Sequence, residues 1–483
     1  MHESGQSSAS PALPSTQILI DGRRLDGEAL FPVVDRYTQS PLAQVHSASP
    51  AQVSQAVQVA RRACAKVPPP YERAAILQRA AQAIERQRQR VIDLTVAETG
   101  FTQAEAQGEL VRALDTLALC AEEAKRISGE MMPLDGNAGQ QDRIAFSLRE
   151  PVGIVCAITP FNSPLNAVLH KLGPAIAAGN AVLFKPSGYT PLTASVLCDV
   201  LIEAGWPAGL IALLQGMDAQ VGTCLLQEPD IDFYAFTGST RVGRVIQSAA
   251  GLRRTQLELG SIACTVVCAD TDLDAALPKL QRAAFRKAGQ VCTSIQRLYV
   301  QAPLAEECLQ RLSAAAAAMV CGDPRDARTQ VGPMITPEQA ARAQSWVNEA
   351  QERGAVVGAG GVRTGALLTP TVLSGVKAGM KVMDQEIFAP VVSVIPFEEL
   401  GQAIADINAT PYGLAAGVFT RDLGAAFAAA RQIRAGAVHI NETSSSRADA
   451  MSYGGVKASG FGREGPRYAV REMTQEKVVT ISL

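Results

Sequence analysis

Residues 151–187 contain Pro151-Val-Gly-Ile-Val-Cys-Ala-Ile-Thr159-Pro-Phe-Asn162-Ser163-Pro-Leu-Asn166 and, after a stretch at helical spacing, Ala181-Val-Leu-Phe-Lys185-Pro-Ser187. Two short apolar runs, 152–158 and 181–184, flank a helix. Strands without an alternating polar face belong in a parallel sheet covered on both sides, so this is a βαβ unit. Further runs at 210–214 and 233–236, again separated by helical segments, extend the pattern to residue 260 and give it a nucleotide-binding architecture. A second alternation from 265 to about 441, including 391–397, 415–420 and 437–441, reads as a second α/β domain.

Upstream, 49–129 reads as three helices, with Pro50 opening the first, Pro69 and Pro70 preceding the second and Gly100 separating the second from the third. Residues 143–149 (Arg-Ile-Ala-Phe-Ser-Leu-Arg) alternate like a strand with one covered face. The β-branched C-terminus, Lys477-Val-Val-Thr-Ile-Ser-Leu483, needs another strand to receive it, either that arm or another subunit.

At ~150 residues per domain, 483 residues suggest two or three domains, and 47% hydrophobic content is ample for large cores. The balance of 44 Lys+Arg against 46 Asp+Glu calls for neither nucleic acid nor an anionic membrane, so small-molecule partners are expected. The N-terminal MHESGQSSASPALPST lacks the basic start and apolar core of a secretory signal and reads as a flexible tail. No apolar run reaches the roughly 18 residues needed to span a bilayer, so a cytoplasmic, unanchored protein is expected. Ten cysteines without C-x-x-C spacing suit a reducing compartment, and the four histidines, His2, His46, His170 and His439, suggest no metal site.

The chemistry-bearing segments are individually ambiguous. In Phe285-Arg-Lys-Ala-Gly289-Gln-Val-Cys292-Thr, a helix runs into a glycine and a cysteine follows, which suits either a thiol exposed to a cleft or a small buried hydrophobe. Glu258, in Thr255-Gln-Leu-Glu-Leu-Gly-Ser261, is either an outward residue on an edge strand or a desolvated carboxylate with a raised pKa, fit to act as a base. Phe236-Thr-Gly238-Ser239-Thr-Arg-Val-Gly243 joins a strand to a helix over 241–249. Its amides can hold a pyrophosphate or simply be capped, and no intact G-x-G-x-x-G occurs. Lys185 ends a strand where open α/β sheets bind nucleotides, but a solvated lysine fits equally; Asn162 follows another strand, although an asparagine beside proline is more often just a turn former.

At their relative positions these segments resemble the aldehyde dehydrogenase superfamily along almost the whole chain from about residue 17. Further matching motifs are Glu386-Ile-Phe-Ala-Pro, Tyr412-Gly-Leu-Ala-Ala-Gly and Tyr453-Gly-Gly-Val-Lys-Ala-Ser-Gly. The resemblance implies that Cys292 attacks an aldehyde, that Asn162 and the Cys292 amide stabilise the oxyanion, that hydride passes to a nicotinamide, and that Glu258 activates the water hydrolysing the thioester. It places Lys185 and Glu386 at the two riboses and Gly238 and Ser239 at the pyrophosphate. Thr159, Pro160, Phe161, Ser187, Gly188, Gly222, Phe236, Gly243, Leu259 and Phe388 are expected to line the remaining cofactor site. NAD is expected, with NADP an open alternative because Gly188 stands where an acidic residue often binds the adenosine ribose. Glu258 favours hydrolysis over coenzyme A acylation, and the intact Asn162, Glu258 and Cys292 argue against a non-catalytic relative.

Within the family, the chain is most similar to the branch of lactaldehyde, non-phosphorylating glyceraldehyde-3-phosphate and phosphonoacetaldehyde dehydrogenases, through Ala121-Glu-Glu-Ala-Lys-Arg-Ile-Ser-Gly-Glu, residues 292–297 and Arg447-Ala-Asp. Arg112 and Arg447 stand at positions where relatives hold anionic aldehydes, or are a helix-surface charge and a loop salt bridge. Ser163, Val291 and Thr293 complete the expected substrate pocket, and a short anionic or hydroxylated aldehyde is favoured. The resemblance also implies a homodimer or homotetramer and a domain plan: a tail over 1–16, a Rossmann-like cofactor domain over 17–128 and 150–260, a catalytic α/β domain over 261–460, and a β oligomerisation arm with the C-terminal segment over 129–149 and 461–483.

Overall fold

A computed structural model describes residues 15–217 and 219–483, so most of the expected tail lies outside the described residues. Its last two residues do not behave as a tail, because Ser15–Thr16 pair in parallel with the strand Pro41–Ser47. The apolar runs form two sheets. In the first, five parallel strands stand in the order Arg254–Glu258, Phe233–Thr237, Ile154–Ile158, Ala181–Lys185, Ile211–Leu213. The chain winds outward from Ile154–Ile158 in one direction and restarts on its other side with Phe233–Thr237. The two loops leaving these neighbours therefore diverge and open a crevice at the carboxyl edge, the usual ligand position in such sheets.

The second sheet has seven strands, with Cys264–Val267 between Arg297–Gln301 and Ala415–Phe419. The changeover between sheets falls between Glu258 and Cys264, so the loops that begin the second sheet face the crevice of the first. The fold is thus α/β throughout, and both cores are built from the runs that lacked polar alternation.

Three details differ from the expectation. The helical region holds four helices, Pro50–Ala63, Pro70–Arg86, Arg88–Thr99 and Gln103–Ala124, because Gln87 leaves helical geometry at φ −103° and ψ 16° and splits one apparent helix. Gly460–Phe461 joins the first sheet, pairing antiparallel with Leu257 and Glu258, so Glu258 is not on an edge strand. The C-terminal segment is also not all arm: the helix Pro466–Glu472 packs on Asn166–Ala178 and Gln103–Ala124, and only Thr474–Ser482 extends along Arg143–Pro151. That pairing runs antiparallel from Thr474 opposite Pro151 to Ser482 opposite Arg143. Among the described residues no helix is long and apolar enough to cross a membrane, no group of His, Cys, Asp and Glu could hold a metal, and all ten cysteines are free.

Candidate active site

The crevice is a cleft of about 650 Å³ with Cys292, Asn162 and Glu258 in its wall. The loop carrying Cys292 leaves the helix Leu273–Phe285 through an unusual turn: Lys287, Ala288 and Gly289 all have left-handed φ, at 52°, 52° and 69°. For the two non-glycine residues this costs roughly 1–2 kcal/mol each. Gly289 is required as well for space, since a Cβ there would lie 2.0 Å from the Ala389 carbonyl oxygen.

Buried polar contacts hold this turn. The Lys287 amide donates to Glu105, and its ammonium donates to Glu109 and, at 2.8 Å, to the Asn162 carbonyl. Glu109 also accepts from Ser163 Oγ at 3.0 Å and the Leu165 amide at 2.9 Å. Burial would raise the Glu109 carboxyl, but the Lys287 charge and hydrogen bond, together with the Leu165 and Asn166 amides, outweigh it and hold the group below its ordinary range. Asn162 Nδ2 donates to the Gln290 carbonyl at 2.9 Å, tying the asparagine's amide to the cysteine loop.

Glu258 ends its strand only 3% exposed, and neither carboxyl oxygen has a hydrogen-bond partner among the described residues. Burial, then the negative charge of Glu464, push its pKa well above the usual carboxylate range, against Lys171 and Arg447. Glu464 behaves oppositely. Lys171 Nζ at 2.8 Å and Arg447 at 3.0 Å more than offset its burial and hold it ionised. Two neighbouring carboxyls are thereby pushed in opposite directions, Glu464 towards its charged form and Glu258 towards its protonated one.

At the cofactor end, Thr159, Pro160, Phe161, Lys185, Ser187, Gly188, Phe236, Gly238, Ser239, Leu259, Glu386 and Phe388 all line the cleft. Glu386 accepts from the Ser261 amide at 2.9 Å, and burial raises its carboxyl to about 7. The Gly238 amide is not a free donor, because it bonds the Glu258 carbonyl at 3.0 Å. Ser239 caps the helix Thr240–Ala250 by accepting from the Val242 amide, which leaves first-turn amides such as Thr240 and Arg241 facing the helix end. Two glycines lie behind the wall: Gly243, where a Cβ would sit 2.3 Å from Leu259, and Gly222, on the helix beside the Lys185 stem. At Gly188 a Cβ would lie 2.8 Å from Met217 Cα, so an acidic side chain is not merely missing there but has no space.

At the substrate end, Arg112, Ser163, Val291, Thr293 and Arg447 line the cleft. Neither expected arginine carries an unpaired charge. Arg112 forms a two-pronged bond to Asp449 at 3.0 and 2.7 Å, and Asp449 also binds Asn166 and His170. Arg447 pairs with Glu464 and lies 3.9 Å over the Tyr453 ring. Arg286, which the sequence reading passed over, also lines the cleft; it donates to Ser445 Oγ at 3.1 Å, and no carboxylate among the described residues pairs with it. Tyr453, Glu464, Lys171, Glu109 and Lys287 were likewise missed. A signal existed for Glu109: Glu105, Glu109, Arg112 and Thr116 form one polar stripe between the buried Ala106, Leu110, Ala113 and Leu117.

Fold and cleft define a two-sheet α/β enzyme with a thiol at the junction of its sheets. The sequence profile of the aldehyde dehydrogenase family matches residues 24–479. The chain is 43% identical over 451 residues to 3-sulfolactaldehyde dehydrogenase of Priestia megaterium, covering 93% of this chain and 94% of that one. Aldehyde dehydrogenase 21 of Physcomitrella patens, solved with its reaction product succinate, superposes with a TM-score of 0.94 at 32% identity over 98% of this chain and 99% of that one. The glyceraldehyde-3-phosphate dehydrogenase of Methanocaldococcus jannaschii, complexed with NADP, gives 0.90 at 34% identity over 94% and 99%. The chain belongs to the aldehyde dehydrogenase family. It is therefore an oxidoreductase acting on aldehydes.

Proposed function

We propose that this enzyme oxidises a short anionic aldehyde to its carboxylic acid with NAD or NADP, through a thioester on Cys292. The observation that carries the reading is a buried, unpartnered Glu258 carboxyl in the same cleft as a thiol and an amide donor. Cys292 attacks the carbonyl carbon, and the charge that develops on oxygen is met by Asn162 Nδ2 and the Cys292 amide. The cofactor fits the cleft: Lys185 and Glu386 would hold the riboses, first-turn amides of the helix Thr240–Ala250 the pyrophosphate, and the wall at Gly188 has no carboxylate to repel a 2′-phosphate. When bound, the nicotinamide accepts the hydride. Glu258, whose burial and neighbouring Glu464 raise its proton affinity, activates the water that attacks the thioester.

The anionic class rests on Arg286, whose guanidinium, among the described residues, hydrogen-bonds the Ser445 hydroxyl and pairs with no carboxylate, and so retains donors and charge for an oxyanion. The substrates and product of the relatives described above, a sulfolactaldehyde, a glyceraldehyde phosphate and succinate, agree with it. Arg112 and Arg447 shape the pocket through their pairs with Asp449 and Glu464. An oligomer is supported by the arm, which exposes Leu148, Val478, Ile481 and Leu483. The charge balance and the free cysteines support a cytoplasmic enzyme without nucleic-acid or membrane partners.

The test measures reduced-nicotinamide formation from sulfonate, phosphonate, carboxylate, hydroxyl and plain alkyl aldehydes, with each cofactor, beside Cys292→Ala. Turnover of anionic aldehydes that dies with Cys292→Ala is expected. Turnover only after coenzyme A is added would replace hydrolysis with acyl transfer.

A further inference from the structure

Cys292 has one side-chain hydrogen-bond partner in the cleft: its Sγ lies 3.0 Å from the hydroxyl of Tyr453. Tyr453 is 8% exposed, and its ring is fixed from two directions. Its backbone exchanges hydrogen bonds with Glu464, and the Arg447 guanidinium lies 3.9 Å over the ring face, itself anchored to the Glu464 carboxylate. The phenol is therefore preorganised and aimed at the sulfur.

The charges around the sulfur do not by themselves favour its ionised form. Glu258 from the first sheet and Glu386 from the loop before Val391–Phe397 oppose a negative sulfur, while Arg447 and Arg286 favour one. Burial adds to the opposition and pushes the thiol up to about 11, with the Tyr453 bond the foremost influence in the other direction. Burial and the adjacent sulfur hold the Tyr453 phenol well above its ordinary range. Once Cys292 is ionised, the proton between the two atoms therefore belongs to oxygen, and the phenol can only donate.

We propose that the Tyr453 hydroxyl is a catalytic hydrogen-bond donor to Cys292 Sγ, stabilising the thiolate that attacks the aldehyde, with Arg447 as the positioning residue that holds the ring. The proton leaving sulfur goes to solvent or to Glu258, and Tyr453 keeps its own throughout. The inference rests on the reading of Cys292 as nucleophile, and its test needs no aldehyde turnover, so the two fail separately.

The test is the pH profile of Cys292 alkylation by iodoacetamide, read by mass spectrometry of the peptide containing it, in the full-length protein and in Tyr453→Phe. Removing one donor to a charged acceptor should raise the midpoint by about one pH unit and slow alkylation near neutral pH roughly tenfold. A melting temperature like that of the parent establishes that the fold is intact. If Tyr453→Phe does not fold, fluorotyrosine placed at 453 supplies a more acidic phenol and should lower the midpoint. An unmoved midpoint in the folded Phe variant, or in the fluorotyrosine protein, would overturn the proposal.

Discussion

Lys287 Nζ lies 2.8 Å from the carbonyl oxygen of Asn162, so one ammonium group ties the loop bearing Cys292 to the turn bearing the amide opposite it. The two segments come from different sheets, and Glu109 on the helix Gln103–Ala124 completes the bond. The strained backbone at 287 and 288 is held by this clamp rather than by its own propensity.

Lys287→Met should therefore leave Glu109 buried and unpaired. Breaking one side of a buried pair costs about 3–5 kcal/mol, and looser placement of Asn162 should lower kcat by about 10²-fold. Adding Glu109→Gln should recover much of the stability, without restoring the rate. Thermal melts and steady-state kinetics check both, and a wild-type rate in Lys287→Met would show that the clamp does not position the site.

Glu258→Gln removes the proton acceptor but not the thiol. Its steady-state rate should fall about 10²- to 10⁴-fold, within the range of general-base catalysis, while the first turnover persists. Mass spectrometry should find an acyl group on Cys292. Loss of the first turnover as well would place Glu258 before the thioester.

Glu386 sets a pH dependence for cofactor binding. Burial raises its carboxyl to about 7, so it is mostly protonated at pH 6 and ionised at pH 8. The ionised group accepts more strongly from ribose hydroxyls, and the cofactor Kd should tighten several-fold between these values. Titration calorimetry should show the change in the parent and a flat profile in Glu386→Gln; equal slopes would assign it elsewhere.

The arginines separate by their partners. Arg286→Met should raise KM for anionic aldehydes about tenfold or more and change that of an uncharged aldehyde little, since Arg286 has no carboxylate to abandon. Arg112→Met should instead lower the melting temperature, because Asp449, held well below the usual range by His170 and Arg112 despite its burial, loses its two-pronged partner. A selective KM effect from Arg112→Met would reverse these assignments.

By itself the sequence determined the two α/β alternations, the strand at 391–397 and the family, because these depend on local period and on motifs contiguous in the chain, whereas it left the C-terminal strand a choice between the 143–149 arm and another subunit that the tertiary structure made. Cys292, Asn162 and Glu258 were legible for the second reason. The polarity of their surroundings was not. Whether Arg112 and Arg447 carry open charges depends on Asp449 and Glu464, and Arg112 and Asp449 lie 337 residues apart in the chain. Lys287 and Tyr453 each lie inside a family motif, yet their partners, Glu109 and Cys292, are more than 150 residues away. Spacing records which side chains share a face, whereas hydrogen bonds and pKa shifts depend on distance and burial in three dimensions. Only the meeting of the two sheets decided which charges were neutralised and which carboxyl was left buried without a partner among the described residues.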